Sequence, residues 1–287
     1  MNVRTLIGES VHRAEDFRFL KGAGSFVDDL KREGMLHAAL LRSSVAHGRI
    51  RGIDARAARA MPGVHAVVTA QEIGDVPVIP LRLANLPEFK SYLQPVIAKD
   101  KVRYVGEPIA VVVAETQGLA EDALEKIEVD IERLPPLPDR QVAATDTSPL
   151  FDGLSNRTVR YVASFGDAEV AFAKAEYTRK ETFRCHRLTG LPLETRGQIS
   201  EWDAAKKRLT VFGATKVLFF NRRTLAPMLG VTEADIDMIE VDVGGGFGVK
   251  GEFYPEDFLI PFAARLVGRP VKWIEDRREH LLSLIHI

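Results

Sequence analysis

Asp242 to Lys250 reads DVGGGFGVK, and the rest of the chain is organised around these nine residues. Just upstream, Ile236 to Val243 (IDMIEVDV) alternates apolar and polar side chains, the period of a half-buried strand. Glycines in such a run permit positive φ and let a ligand approach where a Cβ would stand in the way. Their successive N–H groups can form a concave anion cradle. The spacing separates this stretch from two familiar glycine loops. Gly244, Gly246 and Gly248 stand G-x-G-x-G, not the G-x-G-x-x-G of a dinucleotide-binding turn. Gly251 occupies the place where a phosphate loop needs Ser or Thr after its lysine. Two readings stay open: a ligand cradle, or a glycine-rich turn that holds nothing.

Working outward, Pro255 opens an amphipathic helix that directs Phe258, Leu259, Phe262, Ala263 and Leu266 to the core, and Gly268 with Pro270 ends it. Pro261 inside it predicts a kink or a shifted start. Val271 to Ile274 (VKWI) reads as a final strand. Before the loop, Asn221 to Leu229 is helical up to Gly230. Gln198 to Trp202 and Leu209 to Phe212 form two strands around the polar turn DAAKK. Further back, Thr158 to Ser164 and Tyr177 to Leu188 (YTRKETFRCHRL) alternate and predict strands on either side of a short helix, Asp167 to Ala175.

The first half carries strands at Met35 to Leu41 and Val64 to Thr69, with Asp54 as cap of a short helix from Ala55 to Ala60. Residues 74–99, with prolines at 77, 80, 87 and 95, predict a long loop. Ile109 to Ala114 (IAVVVA) is a buried strand. Thr116 caps the next helix, which lines up Leu119, Ala123 and Ile127, and Ile127 to Ile131 alternates as a strand. Leu134 to Pro138 (LPPLP) is stiff and non-helical. The chain therefore divides into a compact domain over 1–132, a linker over 133–157 and a second domain over 158–281. The last six residues, Leu282 to Ile287 (LSLIHI), read as the in-frame translation of a sequencing adapter and are set aside from functional reasoning.

With 39 basic and 40 acidic side chains the net charge is -1, which gives no ground for a nucleic-acid or membrane-surface partner. No apolar run approaches the length of a membrane span, and no secretory signal is visible, so a cytoplasmic protein is expected. The single cysteine, Cys185, excludes a disulfide within the chain and a cysteine-ligated zinc or iron–sulfur site built from this chain alone. Its expected role is packing. The histidines, at 12, 37, 47, 65, 186, 280 and 286, form no close metal-ligand pair, so no metal ligand is assigned.

These residues resemble the molybdenum-binding large subunit of the xanthine dehydrogenase, aldehyde oxidase and aerobic carbon monoxide dehydrogenase family. GAGSFVDDL, GMLHAALLRSSVAHGRI, MPGVHAVVTA and KVRYVGEPIAVVVAE are similar to its α/β-hammerhead domain. DVGGGFGVKGEFYPED and GRPVKWIEDRREHL are similar to the start of its molybdopterin-binding domain. The resemblance implies an α+β fold: a hammerhead domain followed by the first part of a molybdopterin-binding domain. It implies an oxidoreductase that hydroxylates a C–H bond, or oxidises carbon monoxide, with oxygen from water. Its cofactor would be molybdenum–molybdopterin in the cytosine dinucleotide form. Electrons would leave through [2Fe-2S] clusters and FAD on an iron–sulfur small subunit and an FAD medium subunit, in a dimer of heterotrimers.

Carried over by position, Gly245, Gly246, Phe247 and Gly248 match the family's loop beside the molybdenum. ATKVLFFNRR places Lys216 where many members have a glutamine that donates to a molybdenum oxygen. Lys216 is either such a donor, with a full positive charge added, or a solvated lysine at a strand end. Gly251 and then Glu252 follow Lys250, which does not match a purine-type substrate contact. Glu194 and Arg196 in LETRG help frame the second domain. The family's general-base glutamate lies in a region this chain does not include, so no catalytic residue is assigned. The expected reading is an N-terminal fragment of the large subunit, inactive alone. The alternative is a non-catalytic module that docks to partner subunits.

Overall fold

The computed structural model describes residues 7–82, 86–145, 148–186, 188–213 and 217–284. In chain order it contains α1 (Asp16–Leu20), β1 (Leu36–Arg42), β2 (Gly48–Asp54), α2 (Arg56–Arg59), β3 (Val64–Val68), α3 (Ala70–Ile73), β4 (Lys101–Val102), β5 (Pro108–Ala114), α4 (Gln117–Leu124), β6 (Glu128–Arg133) and α5 (Arg140–Ala143). There follow α6 (Ala168–Lys174), β7 (Gly197–Asp203), β8 (Arg208–Gly213), α7 (Leu218–Leu229), β9 (Ile236–Ile239), α8 (Pro255–Val267), β10 (Val271–Ile274) and α9 (Arg277–Leu284). This is an α+β arrangement.

The run PIAVVVA makes β5 buried at every position, so it needs cover on both faces and cannot lie at a sheet edge. It sits between β3 and β1 in a seven-stranded sheet ordered β3-β5-β1-β10-β7-β8-β9. Alternate residues of β1 then serve opposite faces. Leu36, Ala38 and Leu40 join the core under α7 and α8, whereas Ala39 packs with Ala120 and Ala123 of α4. β1 pairs in parallel with β10, Leu36 opposite Val271, so the first and second halves of the sequence share one sheet.

The strand–helix–strand reading around α4 needs one correction. Thr116 does cap α4, its hydroxyl accepting the Leu119 N–H at 3.2 Å. However, β6 does not return to the sheet of β5; it pairs antiparallel with β2 in a second sheet, ordered β4-β2-β6. The reason is its pattern. EVDIER has one apolar face, which suits a half-exposed sheet and not the doubly covered interior beside β5.

Other differences also have local causes. β9 stops at Ile239, because the backbone and carboxylate of Asp242 are engaged elsewhere. Its N–H donates to Ser25 O at 3.1 Å, and its carboxylate takes Ser25 N–H and the Arg18 guanidinium, both at 2.6 Å. Those bonds, the Arg18 one first, hold the Asp242 carboxyl down at about 2. α8 runs unbroken from Pro255 through Pro261, but Leu266 in its last turn is half exposed rather than in the core. α6 forms, with Asp167 accepting the Val170 N–H at 3.0 Å. Thr158 to Ser164 and the described part of Tyr177 to Leu188 are extended but form no ladder among the described residues. A strand pattern becomes a strand only beside a partner edge.

A buried chain of charges ties these elements together. Arg42, at the end of β1, donates to Glu256 in the first turn of α8 (2.5 Å) and to Glu279 of α9 (2.9 Å). Arg196, just before β7, donates to the other oxygen of Glu256 (3.1 Å) and to Glu275 after β10 (2.5 Å). Its guanidinium also lies 4.0 Å from the Tyr254 ring centre. Burial by itself would raise the Glu256 carboxyl, but the charges of Arg196 and Arg42 outweigh it and hold the group down at about 2. Its contribution to stability is therefore fully present above its ordinary 4.5 and is lost as pH falls towards 2. Glu107 is the opposite case. Burial pushes its carboxyl up to about 7 despite the Arg103 N–H it accepts.

Two outcomes follow for denaturant unfolding. Arg196→Met leaves Glu256 and Glu275 without their shared cation and lowers stability by about 3–5 kcal/mol at neutral pH. Glu107→Gln raises stability at pH 8 by up to about 3 kcal/mol and has no such effect at pH 4, because above 4.5 folding of the wild type must either protonate this carboxyl or, beyond about 7, bury it ionised.

Candidate functional site

The glycine loop is held from both sides. Gly244 N–H donates to Glu194 Oε2 at 2.8 Å, and Glu194 N–H donates back to Gly244 O at 3.2 Å. Lys250 Nζ donates to the same Glu194 oxygen at 2.5 Å, so a carboxylate rests between a loop amide and a buried ammonium. A side chain at Gly244 would put its Cβ 2.5 Å from Glu194 Cβ, which explains glycine there. Gly245 has φ +100, and an added Cβ would meet Pro192 Cβ at 3.0 Å.

Gly246 differs from both. Its Cβ position opens on space with nothing within 4 Å. Phe247 takes φ +47, a left-handed conformation that costs an L-residue about 1–2 kcal/mol. Its side chain nevertheless remains 77% exposed. The turn closes with Val249 N–H to Gly246 O at 2.9 Å and Gly251 N–H to Gly248 O at 3.0 Å. The loop thus offers a bare backbone beside an exposed aromatic ring.

The segment 190–196 braces it. Gly190 lies against Phe247: a Cβ there would approach Phe247 Cβ to 2.9 Å. The Gly190 carbonyl accepts from His280 Nε2 at 2.8 Å, and His280 Nδ1 is 3.0 Å from Glu275 Oε2. Arg277 donates to the carbonyls of Pro192 (2.7 Å) and Leu193 (3.0 Å), and Thr195 donates to Glu275 O at 2.6 Å. From Glu275 a hydrogen-bonded path therefore continues through His280 to the backbone that touches Phe247. Beside the loop lies a pocket lined by polar Gln198, Asn221, Lys250 and Asp257 and by apolar Val211 and Trp273. Among the described residues Asn221 Oδ1 and Trp273 Nε1 are buried there without a hydrogen-bond partner. Burial pushes the Asp257 carboxyl up to about 7.

The structure brings Gly245, Gly246, Phe247 and Gly248 together on one exposed loop. Lys216 lies outside the described residues. Glu194 and Arg196 do not pair with each other: Glu194 clasps the glycine loop, whereas Arg196 belongs to the buried charges. Sequence reasoning missed α9 and with it His280. The signal was there in Asp276 and Glu279, three apart, which cap each other's backbone at 2.7 and 3.1 Å.

Comparison with known proteins shows what the chain is similar to. The family profile of the molybdopterin cofactor-binding domain matches residues 150–286, and that of the aldehyde oxidase and xanthine dehydrogenase a/b hammerhead domain matches residues 21–135. The chain is 39% identical to the 6-hydroxypseudooxynicotine dehydrogenase complex subunit gamma of Paenarthrobacter nicotinovorans, over 99% of this chain and 36% of that protein. It is 38% identical to the carbon monoxide dehydrogenase large chain of Afipia carboxidovorans, over 94% of this chain and 34% of that one. Quinoline 2-oxidoreductase from Pseudomonas putida 86 superposes with a TM-score of 0.88 at 35% identity, covering 96% of this chain and 35% of that one. The chain spans about a third of the length of the curated relatives it matches.

The loop's two inner glycines respond differently to alanine. Gly245→Ala forces a Cβ onto positive φ and Pro192 and destabilises by about 1–3 kcal/mol. Gly246→Ala leaves the thermal midpoint within the change expected of about 0.5 kcal/mol. Equal effects at the two positions would contradict this picture of the loop.

Proposed function

We propose a function from one premise: the chain belongs to the molybdopterin-binding large-subunit family of molybdenum hydroxylases. It is the cofactor-gripping part of a molybdenum-dependent oxidoreductase, which oxidises an aldehyde, an N-heterocycle or carbon monoxide with oxygen from water. The observation that carries this reading is the open backbone of Gly246 and Gly248 on either side of exposed Phe247. That arrangement fits the group. An organic cofactor with anionic oxygens needs amide donors that no Cβ shields, and Gly246 faces open space where such a group would stand.

Gly245, Gly246, Phe247 and Gly248 would hold the molybdenum–molybdopterin group, in its cytosine dinucleotide form. When bound, the group supplies the two-electron redox chemistry and the transfer of oxygen from water. The chain's own residues bind, orient and exclude solvent. Gly246 and Gly248 would present open backbone to the group, Gly245 would set the turn against Pro192, and the Phe247 ring would shield the group from water. Glu194 and Lys250 keep the loop closed by pairing with each other, so that the ammonium adds little net charge near the group. The position of Lys216 in the sequence would add a cationic donor and shift the group's redox poise.

The relatives are called a complex subunit gamma and a large chain, which supports an assembly with other subunits. The iron–sulfur small subunit and FAD medium subunit are the partners this reading requires, in a dimer of heterotrimers. A cytoplasmic site belongs to the same reading; among the described residues no helix is long and apolar enough to cross a membrane. No general base is assigned within these residues.

The purified chain alone is expected to hold far less than one molybdenum per polypeptide and to show no dye-linked aldehyde oxidation. Stoichiometric metal together with activity would refute that. Within the assembled large subunit, Gly246→Ala lowers molybdenum retained per subunit by about tenfold or more, measured by elemental analysis, with the melting temperature unchanged. Full metal content in that variant would remove the loop from the cofactor site.

A further inference from the structure

His280 of α9 is completely buried, and both of its ring nitrogens face oxygen atoms. Nδ1 is 3.0 Å from Glu275 Oε2, and Nε2 is 2.8 Å from the carbonyl oxygen of Gly190. A carbonyl oxygen can only accept, and so can an ionised carboxylate. Glu275 is ionised: burial by itself would raise its carboxyl, but the charge and hydrogen bonding of Arg196 outweigh burial and hold the group below its ordinary range. A neutral imidazole has one N–H to give, and here two acceptors wait for one. Flipping the ring exchanges its nitrogens and leaves the same mismatch, because both positions still meet an acceptor. A neutral ring would therefore set a bare nitrogen lone pair against an oxygen lone pair at hydrogen-bond distance, in an interior where a polar group without its bond is costly.

We infer that His280 is a buried imidazolium, protonated on both ring nitrogens, and that it is a positioning residue for the glycine loop through Gly190. One N–H anchors the ring to Glu275. The other holds the Gly190 carbonyl, and Gly190 lies directly against Phe247, where an added Cβ would stand 2.9 Å from Phe247 Cβ. When the ring loses a proton, the remaining N–H stays with the charged acceptor, since a bond to a carboxylate is the stronger one. Glu275 also keeps the Arg196 guanidinium at 2.5 Å and the Arg196 backbone N–H at 3.1 Å. The Gly190 carbonyl is then the partner that is lost, so the hold behind Phe247 is present at lower pH and released as pH rises. The other charged groups around the ring are engaged with partners of their own. Glu256 takes Arg196 and Arg42, Glu279 takes Arg42, and Arg277 donates to the carbonyls of Pro192 and Leu193. Glu275 is thus the anion that favours the protonated ring, and Arg196 beyond it the cation that opposes it. The inference deepens the reading of this loop as a cofactor grip and rests on it for what the loop holds; the protonation of the ring stands without it.

The test is nuclear magnetic resonance on the whole chain, with isotope-labelled histidine ring nitrogens and fluorinated phenylalanine. The series starts at about pH 6 and rises until the His280 ring loses its first proton. His280 is assigned through the backbone of α9, and Phe247 by the loss of its signal in Phe247→Leu. At about pH 7 both His280 nitrogens should give the imidazolium signal, and the Phe247 fluorine signal should shift with the same midpoint as the ring. In His280→Gln the Phe247 signal should stay constant over that range. One protonated and one bare ring nitrogen at about pH 7 overturns the inference. So does a Phe247 signal that stays fixed while His280 titrates, or one that still moves in His280→Gln. If that variant does not fold, the shared midpoint in the wild-type chain decides alone. No molybdenum enters this measurement, so it can succeed where metal content fails, and the reverse.

Discussion

Arg196 is a guanidinium in the interior, shared between Glu256 and Glu275, and the arrangement of the second half depends on it. Its two acceptors come from different elements, the start of α8 and the end of β10, and Arg42 brings in β1 through the other oxygen of Glu256. Charges are costly to bury, and a pair of this kind is weak ground for net stability. What it does is bring β1, the start of α8, the end of β10 and α9 to one point, and separating any of these charges from its partner leaves a buried charge uncompensated, which costs about 3–5 kcal/mol.

From that centre the constraint passes to the loop in short steps. Glu275 meets His280, His280 meets the Gly190 carbonyl, and Gly190 meets Phe247. On the other side Glu194 holds Gly244 and Lys250. Phe247 keeps a left-handed backbone and an exposed ring at once, at a cost of about 1–3 kcal/mol. The strain persists because its neighbours fix the loop. A loop held in one conformation by such a brace has less conformational freedom to lose to any group that binds it.

The same molecule is well packed at one end and open at the other. The sheet around β5 buries both faces, while the segment on either side of α6 leaves aromatic rings in solvent.

Much was legible in the residues themselves. The apolar run of β5, the hairpin of β7 and β8, the Pro255 start and Gly268 end of α8, and the Thr116 cap all depend on neighbours in sequence, so local pattern suffices for them. So does the glycine loop, because the absence of a Cβ is a property of the residue. What depends on distant partners was not legible. The pairing of β6 with β2, the release of Asp242 from β9 to Ser25 and Arg18, and the clasp of Glu194 on Gly244 join positions far apart in the chain. The strand patterns at 158–164 and 177–188 show the same limit from the other side: alternation states what a segment is able to do, and only an available edge decides whether it does so. Sequence by itself determined which backbone could be bare and which side chains had to be buried. Tertiary structure decided which charges met and which strands found partners, because hydrogen bonds and ion pairs are properties of two groups in space and not of either one alone.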